Sequence, residues 1–567
     1  MYQGVNASDG IGIGTAIVAV EPDLSYTPTT PESPEEEKQR YKAALDRFIE
    51  KTQGQADRMR ETVGEAEAEI MAGHIILATD PFMLDEINNR IDGGMCAEQA
   101  LNEVCDMFYA MFDSSEEQLI RERCADIQDI RTGELAELLG KEVVDLSHLP
   151  INSIVVVHDL TPSMTATIDK ENVAAVVTET GGRTSHSAII ARALEIPAVL
   201  SVEGCCTNIH NGDMCIVNGS TGEVHVQPSP EELEAAKAAA HKAIAEKRAL
   251  EIFRGKETVT ADGERVLLVA NIGNPDDATA AVEHDAEGIG LFRSEFLFMD
   301  AKELPSEEEQ FTAYQKVALR MKGQPVIIRT LDVGGDKEIP YMNMQPEENP
   351  FMGYRAVRYC LNNPEQYKVQ LRALLRASAF GDIKIMLPLV TCIDEVRQAK
   401  ALIDVCKREL DAEGVAYNKD IEVGTMVETP AASLIADDLA AECDFFSIGT
   451  NDLIGYTMCA DRGNDRVRYL YTVYQPAVLR SLKRIIEEGR KAGIMVGMCG
   501  EAAADPLLIP VLLSFGMNEF SVSAPAILRT RKVISQWSKE AADAITEEAL
   551  KLKTAAEVQA LLSAAAK

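Results

Sequence analysis

The chain has 567 residues, of which 55 are basic and 91 acidic, so its formal net charge is −36. This length predicts about three or four domains. Hydrophobic residues make up 46% of the chain, enough for several cores, which excludes disorder throughout. The negative charge argues against nucleic acid or an anionic membrane as the main partner, but it permits a basic protein partner.

Three further features bear on where the protein works. No uncharged apolar run approaches the ~18–20 residues that span a bilayer, so we expect no stable membrane insertion. The N-terminus has no basic segment followed by an apolar one, so we do not expect export. The twelve cysteines are scattered without a CxxC pair, which is typical of reduced cytoplasmic thiols. Cys205 and Cys206 are adjacent, and a buried structural pair is favoured there over a redox role.

The residue composition and hydrophobic pattern of the N-terminal part of the chain change twice. Ile11 to Val20 has the small and β-branched residues of a strand. Residues 35–140 carry apolar residues at three- and four-residue spacing, which predicts amphipathic helices. Breaks are expected near residues 80–81, 92–94 and 113–115. From Ile151 to Val226, short β-branched runs separated by turns predict a compact α/β domain. If the early strand joins this domain, the helical block is an insertion.

The C-terminal part begins with a helix and continues as alternating strands and helices. Ser229, followed by Pro230 and then Glu232, predicts a capped helix start. The predicted strands are Leu267–Ile272, Ile289–Ser294, Val326–Leu331, Ile383–Leu387, Glu422–Val427, Phe445–Gly449, Met495–Cys499 and Glu519–Val522. Eight strands alternating with helices over this length favour a (β/α)₈ barrel. An Ala-rich helical tail containing Trp537 closes the chain.

We therefore predict a multidomain α/β chain with a C-terminal TIM barrel. The predicted parts are a swivelling α/β domain (1–25 and 145–227), an inserted all-helical subdomain (30–144), a linker helix (228–256) and the barrel (257–567).

Polar residues follow the predicted barrel strands, where this fold places its active sites. They include Arg293, Arg329, Glu428, Asp452 and Arg462. Arginine binds carboxylates and phosphates through paired donors, and carboxylates suit a Mg²⁺ ion that also touches a substrate phosphate. One strand-end charge alone is more commonly a structural ion pair. Five on one predicted face favour a site for a small phosphorylated carboxylic acid.

Cys499, at the end of the seventh predicted strand, has two interpretations. A thiol at a strand end is more commonly buried filler than a catalytic group. Beside a bound enolate it could instead serve as a general acid, because its ordinary pKa lies above neutrality.

A second constellation surrounds His186. Gly181 and Gly182 allow a tight loop, and Thr184 or Ser185 can cap the helix that follows. His186 then lies in the first helical turn, where backbone N–H groups and the helix dipole stabilise a phosphate and favour the neutral, nucleophilic imidazole. A single histidine at a helix start is usually a cap or surface residue, but the glycines and hydroxyls favour a function.

The positions of the histidines limit where a phosphoryl acceptor can lie. None of the eight histidines lies after His284. If a histidine accepts a group from a donor bound at the barrel, the acceptor therefore comes from outside most of the barrel. This would require movement between domains.

Together these stretches resemble Enzyme I of the bacterial sugar phosphotransferase system, the phosphoenolpyruvate–protein phosphotransferase, over nearly the whole chain. The motifs that carry the resemblance are residues 181–192, 290–295, 329–337, 353–358, 448–453 and 497–501. The resemblance implies that His186 is phosphorylated by phosphoenolpyruvate, that Thr165 is its hydroxyl neighbour and that Cys499 protonates the enolate to pyruvate. It further implies donor-binding roles for Arg293, Arg329, Arg462, Asn451 and Lys337, a weaker one for Arg355, and Mg²⁺ binding by Glu428 and Asp452.

The resemblance also implies partners. In the family, the helical block docks the histidine phosphocarrier protein HPr, and a homodimer forms through the barrel. Here Glu65 to Glu86 contains six acidic residues and no Lys or Arg. An acidic face is usually only solvated, but in this family it is a plausible dock for a basic carrier around His74. Pro81 to Met83 departs from the usually more acidic family pattern, which bears on carrier specificity.

Three alternatives compete with this interpretation. Pyruvate phosphate dikinase and phosphoenolpyruvate synthase share the barrel and a phosphohistidine domain, but they need an ATP-binding module that we do not expect here. A nitrogen-regulatory Enzyme I would carry an N-terminal sensory domain, which is also not expected. A catalytically silent regulator of the same fold is disfavoured by the intact His186, Glu428 and Asp452. The sugars served downstream do not follow from the sequence.

Overall fold

The structure is a computed structural model. It describes residues 1–19, 22–62, 65–114, 123–144, 146–165, 167–182, 186–194, 196–299, 301, 303–334, 339–342, 344–345, 347–464 and 466–566. The chain forms two compact units, Met1–Lys247 and Arg248–Lys567, each with its own core. Among the described residues, no helix is both long enough and apolar enough to cross a membrane.

The first unit is built on an eight-stranded mixed sheet in the order β1-β8-β7-β3-β4-β5-β6-β2. Its strands are β1 Tyr2–Gln3, β2 Val5–Ser8, β3 Ile11–Val18, β4 Ser153–Val157, β5 Val173–Thr178, β6 Ala198–Leu200, β7 Met214–Asn218 and β8 Glu223–Val226. Strand β3 pairs in parallel with β4 and antiparallel with β7. The early strand therefore joins the later α/β segment, as expected, and the helices between β3 and β4 are an insertion.

The insertion is a bundle of helices with its own apolar core. Its helices are α1 Pro34–Thr62, α2 Glu65–Ala78, α3 Pro81–Asp92, α4 Ala97–Asp113 and α5 Cys124–Leu139. The breaks fall where the sequence predicts them. At the first, the Asp80 carboxylate accepts hydrogen bonds from the backbone N–H groups of Phe82 and Met83, and Pro81 takes the first helical position, so a new helix starts there.

Short helices cover the sheet, and a long helix follows it. The short ones are α6 Pro162–Thr165, α7 His186–Ala193 and α8 Cys205–Asn208. The long one, α9, runs from Pro230 to Glu251. Its predicted capping box is present: the backbone N–H of Ser229 donates to Glu232 Oε2 at 2.8 Å, and the Glu232 N–H donates to Ser229 Oγ at 3.2 Å.

The second unit is a closed barrel of eight parallel strands, which confirms the predicted fold class. Its strands are β9 Leu267–Ile272, β10 Ile289–Arg293, β11 Val326–Arg329, β12 Ile383–Leu387, β13 Val423–Val427, β14 Phe445–Ile448, β15 Met495–Met498 and β16 Glu519–Ser523. Four predicted strands extend one or two residues too far at the carboxyl end. Just beyond two of these ends, the backbone N–H groups of Thr330 and Cys499 still donate to the neighbouring strands, at 2.9 and 3.1 Å.

Helices surround the barrel and close the chain. They are α10 Asp277–Glu283, α11 Glu295–Met299, α12 Glu307–Met321, α13 Ala356–Asn362, α14 Pro364–Ala377, α15 Ile393–Glu413, α16 Pro430–Leu434, α17 Ala436–Ala440, α18 Thr450–Met458, α19 Pro476–Ala492, α20 Ile509–Phe515, α21 Ile527–Ser535, α22 Lys539–Ala549 and α23 Ala555–Ala565. A buried apolar cluster that includes Leu291, Ile327, Met386, Met426 and Phe445 fills the barrel beneath its carboxyl ends. The polar residues at the carboxyl ends of the strands therefore lie above a tightly packed apolar core.

Candidate active site

Arg329 is the last residue of β11, and it lies buried at the carboxyl end of the barrel. Its Nη1 lies 3.0 Å from Asp332 Oδ2, and its Nη2 donates to Glu295 Oε1. Burial alone would lower the pKa of Arg329, but the charges of Glu295 and Asp332 raise it. The guanidinium is therefore held charged and in a fixed orientation.

Arg355 is linked to Arg329 through a shared carboxylate. Its Nη2 donates to Asp332 Oδ1 at 2.8 Å and lies 3.5 Å from Asp452 Oδ2. Arg355 is only 4% exposed. Among the described residues, Nε of Arg329 and both Nε and Nη1 of Arg355 have no hydrogen-bond partner. Buried, charged donors without acceptors are costly, so these three nitrogens suit an anionic ligand.

Glu428 follows β13 and is 2% exposed. Its Oε1 accepts a hydrogen bond from the backbone N–H of Leu389 at 2.7 Å. Burial raises the pKa of Glu428, and the nearby carboxylates of Asp452 and Asp332 raise it further. Carboxylates that repel one another beside a buried group such as Glu428 are hard oxygen donors that a divalent cation would stabilise.

Cys499 follows β15 and is also buried, at 3% exposure. Its Sγ lies 3.7 Å from the carbonyl oxygen of Ile448. Burial raises the pKa of Cys499 to about 11, so the side chain carries its proton at neutral pH. The positive charges of Arg329 and Arg293 oppose this rise.

The remaining residues predicted for the barrel site follow other strand ends. Arg293 ends β10 and is half-buried, Asn451 lies in the first turn of α18, and Arg462 lies exposed in the loop that follows α18. The backbone carbonyl of Asn451 accepts a hydrogen bond from the Tyr471 hydroxyl at 2.9 Å. Lys337 lies outside the described residues.

Two glycines at the strand ends lie so close to neighbouring residues that no side chain would fit there. A Cβ added to Gly449 would lie 2.5 Å from Glu428 Oε2, and one added to Gly500 would lie 1.8 Å from Thr450 Oγ1. Glycine at these positions lets the loops approach one another closely.

Three further polar residues belong to this site, although the sequence alone assigns them no role. Glu295 and Asp332 orient the buried arginines. Asn271, in β9, donates from Nδ2 to the carbonyl oxygen of Cys499 at 3.1 Å. Each lies at or just after the carboxyl end of a predicted strand, which is the signal that could have identified them.

His186 is the first residue of α7, as the sequence predicts for the start of this helix. Its side chain and residues 183–185, which include the expected cap, lie outside the described set. The adjacent Ser187 is buried, and its Oγ donates to the carbonyl oxygen of Leu160 at 3.0 Å. Thr165, the expected hydroxyl neighbour, is 2% exposed at the end of α6, and its Oγ1 donates to the carbonyl oxygen of Thr161 at 3.2 Å.

A cavity of about 730 Å³ lies beside this segment, between the helical insertion and the α/β domain. Gly182, Ser187, Thr161, His74 and Asp129 contribute to its lining. The cavity brings groups of the insertion next to the segment that leads to His186.

His74 is buried, at 1% exposure, and so it is not part of an exposed docking face. Its Nε2 lies 3.3 Å from Asp126 Oδ1, and its Nδ1 lies 3.7 Å from Asp129 Oδ2. Asp129 also accepts hydrogen bonds from the backbone N–H and the hydroxyl of Ser163, at 3.1 and 2.6 Å. Asp129 therefore links the insertion to α6, which carries Thr165, and His74 lies against that carboxylate.

Comparisons with known proteins agree with this architecture. Three family models match successive parts of the chain. They are the N-terminal domain of PEP-utilising enzymes at residues 3–123, their mobile domain at 149–222 and their PEP-binding domain at 247–539. The barrel and its site thus define a phosphoenolpyruvate-utilising enzyme.

Curated relatives define the family more narrowly. Proteins from Bacillus sp. (strain S) and Geobacillus stearothermophilus are each 46% identical to the chain, over 98% of this chain and 96% of the relative. One from Bacillus subtilis (strain 168) is 44% identical over 99% and 98%, respectively. All three are named phosphoenolpyruvate-protein phosphotransferase. The chain belongs to the phosphoenolpyruvate-protein phosphotransferase family, which confirms the resemblance noted in its sequence.

Proposed function

We propose that this protein transfers the phosphoryl group of phosphoenolpyruvate first to its own His186 and then to the phosphocarrier protein HPr, releasing pyruvate. This would be the first step of sugar uptake by the phosphotransferase system. The observation that carries the proposal is the pair of linked, buried arginines with donors left without partners among the described residues.

The donor would bind at the carboxyl end of the barrel. Phosphoenolpyruvate carries a carboxylate and a phosphate, and both match the paired donors of a guanidinium. Arg329 and Arg355 are fixed by Asp332 and so lose little freedom when the ligand binds. We propose that Arg293, Arg462 and Asn451 complete the site, with Lys337 assisting.

The carboxylates of Glu428, which is buried, and Asp452, whose side chain is 26% exposed, fit a Mg²⁺ ion. Glu428 and Asp452 supply hard oxygen atoms, and burial beside like charges keeps the pKa of Glu428 raised, which a cation would reverse. When bound, the ion would neutralise charge on the phosphoryl group. Glu428 and Asp452 are the residues that would hold it.

His186 would attack the phosphorus atom in line with the bridging oxygen. The P–N bond forms as the P–O bond breaks, and the electron pair leaves on the enolate oxygen. Fixed positive charges stabilise the phosphoryl group during transfer, so positioning supplies most of the catalysis. We propose a rigid-body movement about the α9 connection that brings His186 to the bound donor, and Thr165 as the hydroxyl neighbour of its ring.

Cys499 would complete the first half-reaction. Its thiol gives a proton to the methylene carbon of the enolate, which becomes the methyl group of pyruvate, and solvent restores the proton to the thiolate. The raised pKa supports this role, since the thiol is protonated at neutral pH.

HPr would dock on the helical insertion. Ile76 of α2 and Phe82 of α3 are 71% and 56% exposed, and Asp85 is exposed nearby in the sequence. Exposed apolar groups beside an acidic residue suit a basic partner with an apolar patch. Asp80 is better explained as the cap of α3. A homodimer through the barrel and a cytoplasmic location remain predictions.

Labelled phosphoenolpyruvate tests the proposal. The protein, incubated with the labelled donor and Mg²⁺, should acquire label that passes to added HPr, whereas His186→Ala should acquire none. His241→Ala is a matched control, because His241 is exposed on α9. Equal labelling of His186→Ala and wild type would refute the assignment, and label from ATP would favour the dikinase alternative.

The docking surface can be tested separately from self-phosphorylation. Phe82→Ala should slow transfer to HPr and leave labelling of the protein itself unchanged. Leu434→Ala, which removes an apolar side chain 69% exposed on the barrel unit, should change neither rate. A Phe82→Ala variant with wild-type transfer to HPr would contradict this surface.

A further inference from the structure

Two cysteines, a glutamate and a histidine lie together at one edge of the mixed sheet in the first unit. His158 follows β4, Glu179 follows β5, and Cys205 and Cys206 follow β6. Strands β4, β5 and β6 are parallel neighbours, so their carboxyl ends lie at the same edge. In open α/β sheets, this edge is where ligands commonly bind.

The spacing of the side chains is that of ligands around one small ion. The sulfur atoms of Cys205 and Cys206 lie 4.0 Å apart. Both sulfurs and one carboxylate oxygen of Glu179 lie within 4.8 Å of one another. In a tetrahedral zinc site with bonds of about 2.3 Å, two sulfur ligands lie about 3.8 Å apart. Little movement would therefore bring the three groups onto a single ion.

The surroundings orient the carboxylate and leave a route from solvent. Nδ1 of His158 lies 2.8 Å from Oε2 of Glu179, and the backbone N–H of Cys206 donates to Oε1 at 3.3 Å. The imidazole would thus orient the carboxylate through a hydrogen bond, or would itself supply a fourth ligand. The His158 side chain is 62% exposed, that of Glu179 is 20% exposed, and Cys205 is fully buried, so an ion can enter from one side.

We propose that Cys205, Cys206 and Glu179, supported by His158, form a binding site for a thiophilic divalent cation of the zinc class. Two sulfur ligands exclude Mg²⁺ as the preferred ion, because hard cations take oxygen ligands. On binding, each thiol releases its proton to solvent, and the sulfur lone pairs form two metal–sulfur bonds without any change of oxidation state. A carboxylate oxygen supplies the third bond, and water or His158 the fourth.

The site lies close in sequence to the segment that carries the proposed phosphoryl acceptor. Glu179 is followed by Thr180, whose backbone N–H donates to the carbonyl oxygen of His158 at 3.1 Å. Gly181 accepts a hydrogen bond from the hydroxyl of Ser201. A bound cation would therefore tie together the strand ends from which the segment leading to His186 departs.

Cobalt(II) provides a direct test on the full-length protein. The thiols are first reduced with a phosphine, and excess Mg²⁺ occupies oxygen-only sites. Added Co²⁺ should then produce the near-ultraviolet absorption of thiolate-to-cobalt charge transfer, and one equivalent of Zn²⁺ should remove it. Cys206→Ser should abolish the band, and Glu179→Gln should weaken Co²⁺ binding at least about tenfold.

Controls separate this site from other thiols. Cys392→Ser, at an exposed cysteine of the barrel unit, should keep the band. A melting curve of Cys206→Ser shows whether that variant is folded, and Glu179→Gln gives an independent test. The proposal is overturned if wild type shows no band, if the band survives in Cys206→Ser, or if it disappears in Cys499→Ser. Because the measurement needs no phosphoryl transfer, its failure is distinguishable from failure of the proposed function.

Discussion

Glu134 is the most informative place to test the electrostatics of the helical insertion. It lies in α5 with no exposed surface. Its Oε2 accepts a hydrogen bond from the Tyr41 hydroxyl at 3.0 Å, and its Oε1 has no partner among the described residues. Burial raises the pKa of Glu134 from 4.5 to about 8, although the bond from Tyr41 opposes the rise. The folded protein therefore holds this group as a neutral acid at pH 7.

The sign of the pH dependence follows from linkage. Between pH 4.5 and about 8 the folded state keeps a proton that the unfolded state releases. The stabilisation is therefore complete below pH 4.5 and is lost as the pH rises toward 8. At about 1.4 kcal/mol per pH unit, the loss is at most about 5 kcal/mol.

Glu134→Gln removes the ionisation and keeps the shape of the side chain. We expect the free energy of unfolding of the variant to be within about 1 kcal/mol of the wild-type value near pH 5. Near pH 8 it should exceed the wild-type value by about 2–4 kcal/mol. Hydrogen exchange of peptides from α1 and α5, measured by mass spectrometry in the full chain, reports this local stability. Comparison at equal pH cancels the intrinsic effect of pH on exchange.

Glu50→Gln is the matched control, because it makes the same chemical change at an exposed position of α1. It should alter exchange little at either pH. A difference between Glu134→Gln and wild type that is the same at pH 5 and pH 8 would refute the assignment of a raised pKa. So would a difference that grows toward acid pH.

Three further predictions concern the barrel. Cys499→Ala should lower pyruvate formation about 10²–10⁴-fold while changing the calorimetric Kd for phosphoenolpyruvate only a few-fold, and wild-type turnover would argue against an acid role. Asp332→Asn removes the carboxylate between two buried arginines, which should cost about 3–5 kcal/mol and visibly lower the Tm of the barrel. Gly500→Ala would put a Cβ 1.8 Å from a neighbouring hydroxyl, whereas the control Gly54→Ala, in α1 of the helical insertion, meets nothing within 4 Å. Calorimetry should show weaker donor binding for Gly500→Ala and unchanged binding for Gly54→Ala. Melting curves should show Gly54→Ala to be neutral or stabilising by up to about 1 kcal/mol.

Local patterns were sufficient for most of the fold. Barrel strands β9 and β12 begin and end where the sequence predicts, because each is a short, mainly apolar run followed directly by a turn-forming residue, Gly273 or Pro388. The helix breaks at Asp80 and Asp92 were predictable because capping and glycine chemistry depend on neighbouring residues only. The strand-end rule likewise identified Arg329 and Glu428 as residues of one face, and the structure places both at the barrel mouth.

What escaped prediction depends on contacts between distant segments. Asp332 joins Arg329 to Arg355 only because the loop after β11 folds back over the barrel, and no spacing in the sequence encodes that return. His74 lies in a stretch rich in acidic residues, which suggested an exposed face. Its actual burial depends on which side of α2 meets α5, where Asp126 and Asp129 are found.

The long insertion in the first sheet has a consequence for biosynthesis. Strand β3 pairs in parallel with β4, and the register joins Thr15 to Ser153. A ribosome must therefore release well over a hundred further residues before this pairing can begin, and closing so long a loop slows its formation. The inserted helices have their own core and all lie between β3 and β4, so they can fold before β4 is released and bring the two flanking strands together. The inserted helical bundle would then guide the assembly of the α/β domain that contains it.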